Sequence, residues 1–132
     1  MLAWGLIGLV AVALAYVRWA PSDPVRWHEP VVAERSGDFG SGAVRVLRAG
    51  PGALARIDAA ARALPRTSVL AGTVAEGRIT YVTRSRWFGF PDYTTVEQEG
   101  DVVRMLARLR FGRSDLGVNG QRLDRLQGAL QP

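Results

Sequence analysis

Two polar stretches near the C-terminal end hold the side chains best suited to chemistry. Phe111-Gly-Arg-Ser-Asp-Leu-Gly-Val-Asn-Gly-Gln-Arg122 carries Arg113, Asp115, Asn119 and Arg122, with Arg110 just before it. Phe88-Gly-Phe-Pro-Asp92 carries Phe90 and Asp92. Guanidinium forks beside the first turn of a helix favour an anionic group, because their N–H donors and the unpaired backbone N–H groups converge. One reading is therefore a polar pocket built by Arg110, Arg113, Asp115, Asn119 and Arg122. Phe90 would form an aromatic lip on it, and Asp92 would pair with one of the arginines. The same residues also support a structural reading. Asn119 is a natural helix N-cap, Asp115 can accept local backbone N–H bonds, and Gly112 and Gly117 can take positive φ. Leu116 and Val118 would then plug the seam between sheet and helix.

Other chemistry finds less support. His28 is the sole histidine and sits between Trp27 and Glu29. A Ser–His–Asp arrangement would need it beside Ser114 or Ser85, and nothing in the spacing brings them together. A hydrolase reading would use Asp92, Ser114 and Asp115. The chain has no cysteine, which excludes disulfides and thiolate metal sites. One histidine is too few for a transition-metal site, so no metal or cofactor is implied. All seventeen basic residues are arginine, which excludes lysine Schiff bases and the phosphate-binding lysine of a P-loop. The net charge of +5 suits anionic headgroups, but twelve acidic residues are interleaved and no basic block forms. Tyr93 beside Arg108 is the one aromatic–basic pair placed for base stacking, so nucleic acid is not expected as a partner.

The elements that must position these groups follow from hydropathy. Met1 to Val17 carries no charged side chain, and Arg18 and Trp19 extend it to the headgroup level. Residues 1–20 thus read as a transmembrane anchor. A cleaved signal peptide is the alternative, although no basic residue precedes the apolar run. A buried core helix would show a polar face, and this segment has none. Arg18, Arg26 and Arg35 all follow the segment, which favours a cytoplasmic C-terminal domain.

Residues 21–42, with Pro21, Pro24, Gly37, Gly40 and Gly42, read as an irregular linker. Residues 43–132 read as an α+β domain. A first strand covers 43–47, and a helix opened by Pro51 carries Leu54, Ile57, Ala61 and Leu64 at helical spacing. Four strands follow, over about 67–74, 78–87, 93–99 and 102–111. A two-residue Glu76-Gly77 turn predicts Val74 opposite Ile79 and Gly72 opposite Tyr81. A type II′ turn at Gly100-Asp101 predicts Glu97 opposite Arg104 and Val96 opposite Met105. In the last strand Val103, Met105, Ala107, Leu109 and Phe111 face inward, with Arg104, Arg108 and Arg110 outward. A final helix over about 120–130 offers Leu123, Leu126 and Leu130. The expected fold is a two-layer domain of order β-α-β-β-β-β-α. Its mainly antiparallel five-stranded sheet carries both helices on one face and leaves the other to solvent.

Phe90-Pro91-Asp92 and Gly112 through Asn119 also carry a resemblance. In order and spacing they match the Phe-Pro-Asp and Gly-Arg-Ser-Asp-x-Gly-x-Asn elements of the bacterial family called domain of unknown function 1499. The similarity covers roughly residues 42–130. Two departures stand out: an early Asn-Cys-Val-Ser-Ser stretch common in relatives is absent, and Tyr93 replaces a second Asp. The resemblance implies a small domain of the bacterial cell envelope, which leans periplasmic against the charge count. Together these readings give a membrane-anchored, non-enzymatic binding or interaction module, with the membrane, an anionic ligand or another envelope protein as partner. The alternatives are a small hydrolase, or a surface binder of anionic lipid or nucleic acid through the outer arginine face.

Overall fold

The computed structural model describes residues 1–132. Helix α1 (Leu2–Trp19) is long and apolar enough to cross a membrane and has no buried residue. At 1.5 Å per residue its eighteen residues reach about 27 Å. Short helix α2 (Pro24–Trp27) follows, capped by Asp23, whose carboxylate accepts from Val25 N. Then come β1 (Gly37–Phe39), β2 (Gly42–Arg48), α3 (Ala53–Arg62), β3 (Thr67–Thr73), β4 (Arg78–Arg84), β5 (Pro91–Glu99), β6 (Val102–Leu109) and α4 (Val118–Gly128). The sheet order is β1-β2-β6-β5-β4-β3, and every neighbouring pair is antiparallel. The α+β class and the order of the main elements are as expected. The sheet has six strands rather than five, because residues 37–39 fold back as a hairpin arm on β2.

The two helices cover one sheet face. Leu54, Ile57 and Ala61 of α3 and Leu123 and Leu126 of α4 meet Ile79, Tyr81, Val96, Val103, Met105 and Ala107 in one buried cluster. Two polar groups tie this layer down. Tyr81 donates its hydroxyl to Asp58 Oδ1 of α3 at 2.5 Å. Burial and the adjacent Asp58 carboxylate push that phenol well above its ordinary pKa, so it remains a donor. Arg45 points inward from β2 and bridges Asp124 of α4 at 2.9 Å and Asp38 of β1 at 2.6 Å.

The β5–β6 register is the expected one, with Glu97 opposite Arg104 and Val96 opposite Met105. Gly100 has φ +62 and Asp101 is not at positive φ, as a type II′ turn requires. The β3–β4 register differs. Gly72 pairs with Ile79 and Val69 with Tyr81. The turn spans Val74 to Gly77, with Gly77 N donating to Val74 O at 3.0 Å, so two further residues leave the ladder. A bulge between Val69 and Ala71 shifts the register by one more residue, and Leu70, the extra residue, packs on the outer face. His28, not Tyr81, lies over Gly72. Gly72 has φ +89, and a Cβ there would fall 2.0 Å from Arg78 O and 2.7 Å from His28 Cε1. Gly72→Ala is expected to cost about 1–3 kcal/mol, read as a lower urea midpoint at constant m.

The outer face is not left to solvent. Trp27 stacks on Tyr93 with ring centroids 4.0 Å apart and 11° between planes. Arg26 and Arg108 each place a guanidinium carbon 4.8 Å from the Trp27 ring. Arg104 Nε donates to Ala33 O at 3.0 Å, and Arg110 Nη1 donates to Pro21 O at 2.8 Å. Ser22 Oγ lies 2.7 Å from Tyr93 Oη, and His28 Nδ1 2.8 Å from Thr80 Oγ1. Residues 20–33 are therefore a second cover on the sheet. Outward arginines are compatible with water and equally with backbone carbonyls and an indole face, so strand alternation alone did not separate these cases.

Candidate functional site

Two loops at the α1 end of the sheet frame the site. The first joins β4 to β5 and is closed on itself. Ser85 N donates to Phe90 O at 3.0 Å, Phe90 N donates to Ser85 Oγ at 2.9 Å, and Arg84 Nη1 donates to Gly89 O at 2.9 Å. The second joins β6 to α4. Here Asp115 Oδ1 accepts from Gly117 N at 2.9 Å and Oδ2 from Asn119 N at 3.2 Å. Asp115, not Asn119, thus satisfies the start of the helix. Leu116 at φ +54 and Gly117 at φ +81 fold the chain back so that one carboxylate reaches both N–H groups.

Asn119 is released from capping and turns inward. It is fully buried, its Oδ1 accepts from Arg122 Nη1, and its Nδ2 has no protein partner. Arg122 Nη1 also approaches Asp92 Oδ2 at 3.4 Å, with side-chain exposures of 12% and 17%. Burial holds the Asp92 carboxyl above its ordinary range, and the Arg122 guanidinium draws it back only in part.

Asp92 lies at the edge of a cleft of about 410 Å³ between the two loops. Phe90, Leu109, Phe111 and Val118 supply its apolar walls, and Ser85, Ser114, Asp92 and Asp115 its polar ones. Of the residues expected to converge, Phe90, Asp92 and Asp115 line this cleft, and Asn119 and Arg122 are linked to Asp92. Arg110 is not there: it lies on the opposite sheet face against Tyr93 and Pro21. Its parity with Arg104 and Arg108 along the strand already carried that information. Arg113 is exposed, and its side chain makes no hydrogen bond or ion pair. No arginine lines the cleft, so its wall chemistry is carboxylate, hydroxyl and aromatic rather than cationic.

Ser114 Oγ accepts from Leu116 N at 3.3 Å, and His28 bonds Thr80 on the other face. The side chains considered for hydrolysis therefore form no serine–histidine pair. Two features at the cleft depend on the tertiary fold. Ser85 enters only because its loop closes on Phe90, and Tyr16 of α1 meets Phe111 edge-on at 6.2 Å and 77°.

A family model described as "Protein of unknown function (DUF1499)" matches residues 23–130. The chain belongs to the DUF1499 family. The match begins just before α2, so the Trp27 segment that covers the outer face falls inside the DUF1499 region and α1 falls outside it. Both loops of the cleft lie within the DUF1499 match. No curated protein matches the chain.

Proposed function

We propose that this DUF1499 protein is a membrane-tethered, non-enzymatic binding module. Its ligand cleft is the space between residues 85–90 and 110–118. The observation that carries the reading is the position of that cleft beside the anchoring helix, where Tyr16 packs on Phe111. A ligand there meets two phenylalanine rings together with Asp92, Ser85 and Ser114. That pattern suits an amphipathic molecule with an apolar body and a hydrogen-bond-donating hydroxyl or amine. The Asp92 carboxylate, already neutralised on one side by Arg122, can accept a hydrogen bond from such a group.

The test is native mass spectrometry of the full chain, released from its membrane in mild detergent. The wild-type protein is expected to retain a small-molecule adduct that Ser114→Trp, which fills the cleft, loses. Ser114 is exposed, so the variant is expected to keep the wild-type circular dichroism spectrum. Absence of an adduct from the wild type, or equal retention by both proteins, would overturn the reading.

A further inference from the structure

A second and larger cavity, about 700 Å³, lies on the other side of the 85–90 loop, at the point where α1 enters the domain. Four arginines line it: Arg18 from the last turn of α1, Arg66 before β3, Arg84 at the end of β4, and Arg86 in the loop. No acidic side chain lines it. The six ion pairs of the protein use Arg45, Arg48, Arg62, Arg78 and Arg122, so none of these four has a carboxylate partner. Two of them are held in place by backbone carbonyls. Arg66 Nε donates to Arg84 O at 3.0 Å, and Arg84 Nη1 donates to Gly89 O. The Arg18 side chain lies against Gly89, within 3.2 Å of where a Cβ would stand. Converging cations without a counter-charge repel one another, and an anion placed among them removes that repulsion.

The position of the cavity identifies the anion. Arg18 and Trp19 form the end of the apolar helix, where headgroups lie if α1 spans the bilayer. The adjoining loop projects Trp87 and Phe88, 78% and 52% exposed, and Leu116 stands out from the neighbouring loop at 89%. Exposed aromatics beside unpaired arginines have the composition of an interfacial surface. We infer that this cavity binds the phosphodiester headgroup of an anionic phospholipid from the membrane that holds α1. The bound headgroup fixes the tilt of the domain and presents the Asp92 cleft to the bilayer surface. The inference rests on α1 as a membrane anchor but not on any ligand of the cleft. It also differs from lipid binding through Arg104, Arg108 and Arg110, which are covered by residues 21–33.

The experiment titrates the full chain in neutral detergent with dihexanoyl phosphatidylglycerol and, separately, dihexanoyl phosphatidylcholine, following tryptophan emission. Phosphatidylglycerol is expected to bind more tightly. The triple variant Arg66→Gln, Arg84→Gln, Arg86→Gln should weaken it roughly tenfold or more while leaving phosphatidylcholine unchanged. Arg86 makes no hydrogen bond and only stacks on Trp87. Arg86→Gln alone therefore keeps the test valid if the triple variant misfolds, with a loss of roughly fivefold. A control at the exposed Arg35, Arg48 and Arg125 is expected to change little. Equal affinity for the two lipids, or equal loss in the control, overturns the inference. Binding of inorganic phosphate as tight as that of the lipid overturns the lipid source. Alkaline carbonate extraction of the same variants reads anchoring separately, and release of the wild-type chain would remove the premise instead.

Discussion

Trp27→Ala is expected to lower the thermal midpoint of the domain by more than roughly 10 °C. Trp27 is 6% exposed and packs with Val82, Tyr93 and Leu70 in the only buried cluster on the outer face. Truncating a buried tryptophan costs about 3–5 kcal/mol, through lost transfer energy and the space left behind. The stack on Tyr93 and the two guanidinium contacts are lost with it. Each kcal/mol is worth about 4–8 °C in a domain of this size. The effect should be directional as well as large. Residues 20–33 lose their anchor on the sheet, so limited proteolysis should cut that segment first. Tyr93, Arg104 and Arg110 then exchange protein partners for water. Trp27→Phe keeps a ring over Tyr93 and is expected to recover much of the loss. Far-UV circular dichroism is the appropriate readout, since the substitution removes one of four tryptophans. An unchanged midpoint would mean that residues 20–33 are a tether rather than a cover.

Arg122→Met is expected to destabilise the fold by about 3–5 kcal/mol at neutral pH, because it leaves the Asp92 carboxylate buried without its counter-charge. Asn119 Oδ1 also loses its donor. The pH dependence identifies the cause. Burial already raises the Asp92 pKa, and Arg122 is the main influence lowering it. Removing the guanidinium raises it further. A carboxyl with a folded pKa above its unfolded value of about 3.9 binds its proton more tightly in the folded state. Its contribution is complete below the unfolded value and is lost as pH rises through the folded one. The deficit of Arg122→Met should therefore be greatest at neutral pH and shrink toward about pH 4. Adding Asp92→Asn to Arg122→Met should restore most of the stability at pH 7. Urea unfolding at the two pH values measures both effects. A deficit independent of pH and not rescued by Asp92→Asn would show that Arg122 matters through packing alone.

The cleft and the arginine cavity share the 85–90 loop as a wall, since Ser85 lines both. Neither cavity is lined by Arg110, Arg113 or Arg122; the arginines on the far side of that loop are Arg18, Arg66, Arg84 and Arg86. The Asp92 side keeps carboxylates and rings. The two proposals can fail independently, because Ser114→Trp and Arg86→Gln alter different cavities.

Several features were legible in the chain because they depend on neighbours in sequence. The charge-free run from Met1 to Val17 specifies an apolar helix whatever surrounds it. The β5–β6 hairpin follows from Gly100 and from alternation that a one-residue slip would invert. The apolar stripes of α3 and α4 name the residues that meet the sheet. The two polar motifs mark the chain reversals that frame the cleft, and Asp92, Asp115 and Phe90 lie in its wall.

What the sequence left open depends on contacts between distant residues. Asn119 has the right type and place for an N-cap, but Asp115 reaches both N–H groups first because Leu116 and Gly117 take positive φ. The β3–β4 register depends on a bulge whose extra residue, Leu70, is stabilised by Trp27 from a segment far away in the chain. Residues 21–33 have the composition of a linker, and only the tertiary fold supplies Tyr93 and three arginines to hold them. The four arginines at the base of α1 are scattered from residue 18 to residue 86, so no local pattern connects them. Local sequence determined the elements, because turn geometry and side-chain period act over a few residues. The tertiary structure decided which charges are paired and which stand free, because that depends on long-range proximity in space.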